Sequence, residues 1–372
     1  MTIATLRGSV LALLGIAALA GCSSHSTHPP AGSAAGDTVV GAPAGFVPAA
    51  AVVSGAGHAL LVDAHDAALV STDAGAHWTS LRLPGKPAAG DSVVVAGDRV
   101  TAVTVDAAGM RLQRSTDGGR SWQASPVPLT IPTDQAQLAV SPDGGRLAVL
   151  ATVRGTANDG DSPQLYVQDA GGRLVARQAP AGGQLAWDGS RLLLTGGPLR
   201  TRLYASPDAG RTWVPVPVGG AVAPRFGVDP AAPSIGQPLA GAVGVTVPVT
   251  EHAGAAAVQL YTGTPGALVP GVRVPLASRL GSGVLAPVAA AGPSEIVVAE
   301  PGSSTLHLVT GHSQVTVHPV GLPGPVDALS FADAEHGVAQ VTVRSCTGKQ
   351  DCAESPEVLA TSDGGRSWHH TG

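Results

Sequence analysis

Four aspartates recur in one local setting and are the first residues whose type and spacing could do chemistry. Asp73, Asp117, Asp208 and Asp363 each stand in the pattern Ser/Thr-x-Asp-x-Gly-x-x-Trp, which brings with it Gly75, Gly119, Gly210 and Gly365, then Trp78, Trp122, Trp213 and Trp368. A carboxylate acts as a general acid or base when a second ionisable group meets it in a cleft. The companions of these aspartates point to a different task. Asp accepts backbone N–H bonds and pins a tight turn, and Gly supplies angles that other residues resist. Ser or Thr helps close the loop, and Trp opens the next strand with its ring against the sheet. Structural hairpin staples are therefore expected at these four places, rather than catalysts or metal ligands.

The other reactive residues form no set. Glu251-His252, Glu335-His336 and His369-His370 lack the spacing of a His-Glu-x-x-His metal site, and no helix is expected to carry them. No Gly-x-Ser-x-Gly elbow and no phosphate-cradling Gly-x-x-x-x-Gly-Lys is present, and Gly281-Ser282-Gly283 reads as a loop. No cofactor and no metal are expected. The formal net charge is -5, and Lys86 and Lys349 are the only lysines, so no basic patch for nucleic acid can be assembled.

The first residues carry an address. Arg7 precedes an apolar run from Val10 to Ala20 that stops at Gly21-Cys22, the layout of a secretory signal peptide over residues 1–21. The run is shorter than the roughly 20 residues needed to span a bilayer. Leu19-Ala20-Gly21-Cys22 resembles the bacterial lipobox, which implies lipidation of Cys22 and an extracytoplasmic protein held to the membrane by that lipid. Residues 22–44, polar and rich in Ser, Pro and Gly, read as a flexible tether, and 45–372 as the folded domain. In an exported chain, Cys346 and Cys352, with five residues between them, are expected to form a local disulfide; a metal or catalytic pair lacks supporting ligands nearby.

The elements that must position the four turns follow from their spacing. The box aspartates are 44, 91 and 155 residues apart. With one repeat of about 45 to 50 residues, these gaps are one, two and three repeats, which gives seven units of the length of a four-stranded propeller blade. The segments between hold short β-rich runs separated by Gly, Pro, Asp or Asn, such as Ser92–Val95, Val100–Val105, Met110–Arg114 and Trp122–Pro126. Fifty glycines and 31 prolines interrupt every candidate helix. The expectation is an all-β propeller of seven four-stranded antiparallel blades, with Thr38–Val40 adding an outer strand to the last.

The four-fold pattern resembles the Asp-box, or BNR repeat, of sialidases and many other propellers. Leu138–Val149, with its Pro142-Asp143-Gly144 turn, resembles the hairpin of TolB-type propellers. Ala328–Ala339 followed by the box at 361 resembles the repeat of photosystem-assembly-factor-like propellers, and places the Cys346–Cys352 loop as a staple across a hairpin of the last blade. The sialidase site does not carry over: its Phe/Tyr-Arg-Ile-Pro run is missing, and no tyrosine follows Tyr261 although the family's nucleophile comes late. The reading is a monomeric, non-enzymatic binding or scaffold module for a protein or glycan partner. The alternatives are a sialidase-like glycoside hydrolase with a non-standard site and an assembly factor for a membrane complex.

Overall fold

Short runs of Val, Leu, Ala and Thr, cut every few residues by Gly, Pro or Asp, make strands and tight turns throughout this chain. The computed structural model describes residues 38–39, 48–54, 58–63, 67–73, 77–90, 92–96, 98–141, 144–153, 162–188, 190–196, 202–216, 234–235, 243–250, 256–264, 267–277, 286–292, 295–331, 333–346 and 352–371. All of them fall in the compact unit Asp37–Gly372. The expected signal segment, Cys22, Gly75, Pro142 and Asp143 lie outside the described residues. Among the described residues no helix is long and apolar enough to cross a membrane.

Sheet 1 contains β1 (Thr38–Val39), β2 (Pro48–Ser54), β3 (His58–Asp63), β4 (Ala68–Ser71) and β5 (Trp78–Leu81), in the order β1-β5-β4-β3-β2. Sheet 2 contains β6 (Lys86–Pro87), β7 (Val93–Ala96), β8 (Arg99–Asp106), β9 (Gly109–Ser115) and β10 (Gln123–Pro126). Five four-stranded sheets follow, each paired in chain order. Sheet 3 runs β11 (Ala136–Val140), β12 (Leu147–Val153), β13 (Ser162–Gln168), β14 (Leu174–Arg177), and sheet 4 runs β15 (Leu185–Asp188), β16 (Arg191–Gly196), β17 (Arg202–Ser206), β18 (Val214–Val216). Sheet 5 runs β19 (Ser234–Ile235), β20 (Val243–Thr250), β21 (Ala256–Thr264), β22 (Ala267–Leu276), and sheet 6 runs β23 (Val288–Gly292), β24 (Glu295–Ala299), β25 (Leu306–Thr310), β26 (Ser313–Val317). Sheet 7 runs β27 (Val326–Phe331), β28 (Gly337–Cys346), β29 (Cys352–Thr361), β30 (His369–His370).

The architecture is a β-propeller of antiparallel four-stranded blades. Five sheets have the four strands expected, so the expectation of seven such blades is corrected to five, and the first two sheets depart from it for different reasons. In sheet 1 the additional strand is β1, which pairs with β5 through Thr38–Thr79 and Val39–Trp78. Sequence alone places this segment in the tether and at the outer edge of the last blade; it caps the outer edge of the first sheet instead. In sheet 2, β6 and β7 both pair with β8, on either side of a bulge. The interruption lies opposite Val103, which accepts from Ala88 N at 2.9 Å and donates to Ser92 O at 2.8 Å.

The first strands of successive sheets approach one another: β7 packs near β11, β11 near β15, and β23 near β27. The two ends of the domain meet where β2 packs against β27 and β28. Hydrophobic cores lie between facing sheets. Leu81 of sheet 1 packs with Val95, Val100 and Ala102 of sheet 2. Leu112 of sheet 2 packs with Leu138, Val149 and Tyr166 of sheet 3. Trp187 and Leu194 of sheet 4 meet Leu150 and Leu165 of sheet 3. Val258 and Leu260 of sheet 5 meet Ile296 and Val298 of sheet 6, and Leu306 of sheet 6 meets Phe331, Leu359 and Trp368 of sheet 7. Among the described residues, sheets 2, 3 and 6 bury apolar side chains on both faces, against a neighbour on either side.

Candidate functional site

The four aspartate turns occupy one position in their sheets, between the last two strands in chain order. Asp117 Oδ1 accepts from Ser115 Oγ at 2.7 Å and from Ser121 N at 2.9 Å, while Oδ2 accepts from Ser121 Oγ at 2.6 Å. Asp208 repeats this with Ser206, Thr212 N and Thr212 Oγ1, and Asp363 with Thr361, Ser367 N and Ser367 Oγ. In sheet 1 a histidine stands where the others have a hydroxyl. Asp73 Oδ1 accepts from Ser71 Oγ and His77 N at 2.8 Å, and Oδ2 meets His77 Nδ1 at 2.5 Å.

These bonds stabilise the charged carboxylates. Ser121's hydroxyl and amide, with Ser115, hold Asp117 at a pKa of about 2, and Thr212's amide and hydroxyl hold Asp208 at about 2. Burial pushes the carboxyls of Asp73 and Asp363 upward. Their hydrogen bonds, led by those from His77 and Ser367, outweigh it and leave both below the ordinary value.

The backbone explains the glycines. Gly118-Gly119 and Gly364-Gly365 all have positive φ, and in sheet 4 the same pair is Ala209 at φ 58° and Gly210 at 81°. Two consecutive left-handed residues aim the following amides back at the aspartate. The turn also braces its own sheet. Gly118 N donates to Asp98 O, between β7 and β8, and Gly364 N to Glu335 O, between β27 and β28.

The tryptophans differ. Trp78 and Trp368 are buried, whereas Trp122 and Trp213 are half-buried. Trp78 is the first residue of β5, but the other three stand one residue ahead of their strands. Trp122 and Trp368 donate Nε1 to the carbonyls of Gly119 and Gly365, and Trp213 donates to Gln178 O in the segment joining sheets 3 and 4.

Tyr166, Tyr204 and Tyr261 are all buried, and burial pushes the Tyr261 phenol up. Glu335-His336 sits in the turn after β27, where Asp333 accepts from both backbone amides, and His369-His370 forms the exposed β30. Glu251-His252 lies outside the described residues. Among the described residues no group of three or more His, Cys, Asp or Glu could hold a metal ion. Between β11 and β12, Ser141 N donates to Arg146 O.

A disulfide joins Cys346 and Cys352, which face each other at the end of the β28–β29 ladder. Both strands have ten residues, while β27 pairs with β28 only as far as Val341 and β30 pairs with β29 only at Leu359 and Ala360. The far half is therefore a two-stranded ribbon tied at its tip.

One buried ionisable pair had no place in the sequence reading. Glu300 and His307 are 4% and 6% exposed, and Glu300 Oε2 lies 3.0 Å from His307 Nε2. Gln314 Nε2, which can only donate, lies 3.1 Å from His307 Nδ1, with Thr316 Oγ1 at 3.2 Å. Nδ1 is therefore an acceptor, and Nε2 carries the proton toward Glu300. The signal was a histidine at an inward position of the apolar run Leu306–Thr310.

No protein-family model and no curated protein matches this chain. Solved structures do. YCF48 from Cyanidioschyzon merolae superposes with a TM-score of 0.53 at 14% identity over 87% of this chain and 97% of that one. A structure of YCF48 bound to D1 peptide gives 0.54 at 15% identity, over 87% and 94%. The GH74 xyloglucanase from Xanthomonas campestris gives 0.56 at 16% identity over 90% of this chain, which spans only 55% of that enzyme. At such identities the likeness shows the fold, and the fold it shows is the β-propeller.

Proposed function

We propose that this chain is an exported, lipid-anchored propeller that works by binding rather than by catalysis. One observation carries the reading: the recurring aspartates and the tyrosines, from which a sialidase-like site would be built, are already committed. The recurring aspartates are held inside their own turns, and all three tyrosines are packed in the interior. The box residues are accordingly structural staples. Both five-stranded sheets reduce to the four-strand plan, because β1 is an appended edge strand and β6 and β7 are halves of one bulged strand.

A protein partner is favoured over a glycan, since one structural neighbour is a propeller solved with a peptide bound. Assembly of a membrane complex is the form of this reading that also uses the anchor. Lipidation at Cys22 would hold the monomer at the outer surface of the membrane.

Labelled palmitate should enter the wild-type protein and not Cys22→Ala. A glycan array should stay blank while a defined protein co-purifies from detergent-solubilised membranes. Turnover of a fluorogenic sialoside or of xyloglucan oligosaccharides by the purified chain would overturn the reading in favour of a hydrolase.

A further inference from the structure

Most of the described outer strands carry a residue that discourages a further strand: Pro126 in β10, Arg177 in β14, Pro215 in β18, and Pro270 and Pro275 in β22. The outer strand of sheet 7, β30, has two residues only. Two outer strands hold neither proline nor charge, β5 and β26. The edge of β5 is covered by β1, a segment of the same chain. Among the described strands none covers β26 (Ser313–Val317), and Val315 at its centre is 57% exposed.

The register tells which main-chain groups of β26 are free. Glu300 N donates to Thr305 O at 2.9 Å, so along this stretch Thr305, His307 and Val309 bond toward β24, and Leu306, Leu308 and Thr310 bond toward β26. Their opposites, Val317, Val315 and Ser313, are thereby satisfied, which leaves the N–H and C=O of Gln314 and Thr316 pointing away from the sheet. The side chains of Gln314 and Thr316 turn to His307 on one face, and Val315 stands on the other. We propose that this edge pairs with the same edge of a second copy of the chain, antiparallel about a two-fold axis through Val315. Gln314 then exchanges both main-chain bonds with the second copy's Thr316, and Val315 meets its own counterpart at about 4.5 Å between Cα atoms, the closer kind of antiparallel pair. A strand that meets itself must tolerate its own charge, and β26 has none. A strand of five residues buries well below the roughly 1,000 Å² of a stable assembly, so copies are single when dilute and join where they are crowded. The inference goes beyond the partner reading above and holds with or without a lipid on Cys22.

Val315→Cys and Val320→Cys, each in a full chain that also carries Cys22→Ala, are oxidised at equal concentration. Val320 is the more exposed, at 74%, but lies outside the strand. Val315→Cys should form linked dimers at least about tenfold faster, because only its thiols are held face to face. Sedimentation of the full chain from micromolar to millimolar concentration should show pairing of the wild type and none for Val315→Lys or Val315→Glu alone. Pairing should return in the equimolar mixture of those two variants, which a folding defect could not produce. The proposal is overturned if the two cysteines link at equal rates, if the wild type stays single throughout, if Val315→Lys pairs as the wild type does, or if the mixture stays single.

Discussion

Phe331 and Trp368 meet edge to face in the last sheet, with ring centroids 6.2 Å apart and planes at 84°. Phe331 ends the first strand of that sheet and Trp368 stands just ahead of its fourth, so the contact ties its inner and outer strands. Gly365 packs against both rings. The aspartate turn is therefore a clamp on the sheet as well as a loop.

Burial should rank the tryptophans. Trp78→Ala and Trp368→Ala each remove a buried indole and should cost about 3–5 kcal/mol. Trp122→Ala and Trp213→Ala, with half-buried rings, should cost roughly half as much. Thermal melts of the four variants measure this, and equal losses across the series would contradict the burial argument.

Acid should weaken the turns in a defined window. Asp117 and Asp208 have folded pKa values of about 2, below the ordinary carboxylate value near 4. A group depressed in this way stabilises the fold fully above its unfolded pKa and ceases to do so as pH falls through the folded one. Asp117→Asn and Asp208→Asn should melt below wild type at pH 6, and the gap should close between about pH 4 and pH 2. A gap independent of pH would show that the charge itself contributes nothing.

Ala209 is the only non-glycine residue with positive φ among the described residues, at a position where two other turns have glycine. Ala209→Gly relieves left-handed strain and should raise stability by up to about 1 kcal/mol, less the added freedom of the unfolded chain. A lowered melting temperature would count against this account.

The Glu300–His307 pair should behave as a unit. His307→Leu leaves Glu300 buried without its imidazole partner and should cost about 3–5 kcal/mol. The double variant Glu300→Met/His307→Leu should lose less than the sum of the two single changes. A double-mutant cycle on denaturant unfolding reads the coupling directly, and simple additivity would argue that the pair does not interact.

Removing the tie at the ribbon tip should be tolerated. Cys346→Ser/Cys352→Ser opens a short loop, with an expected loss near about 2 kcal/mol. The ladder from Gly337 to Val341 is also held by β27, so far-ultraviolet circular dichroism should remain that of the wild type.

What could be read from the residues was what is local. A turn pinned by Asp, with Gly at a left-handed position and Trp behind it, draws its geometry from eight consecutive residues, so four corners of the sheets were legible. So was the Cys346–Cys352 pairing, whose partners are close in sequence. The pairing of Thr38–Val39 was not legible, because a two-residue strand carries no pattern and its choice of β5 over the last sheet is a tertiary matter. The bulge opposite Val103 was hidden for a related reason: Lys86 and Pro87 form a two-residue strand without any alternation, although they pair with Val105 and Thr104. The Glu300–His307 pair escaped because its members lie seven residues apart across a turn, where no spacing rule points.

The bulge has a dynamic consequence. Ala89 donates to Asp134 O at 2.8 Å and accepts from Ala136 N at 3.0 Å, so main-chain bonds run from sheet 2 into the entry of sheet 3. These two sheets should open as a single cooperative block, and their amides should exchange with solvent together. Sheets 5 and 6 are joined by the side chains of Val258, Leu260, Ile296 and Val298.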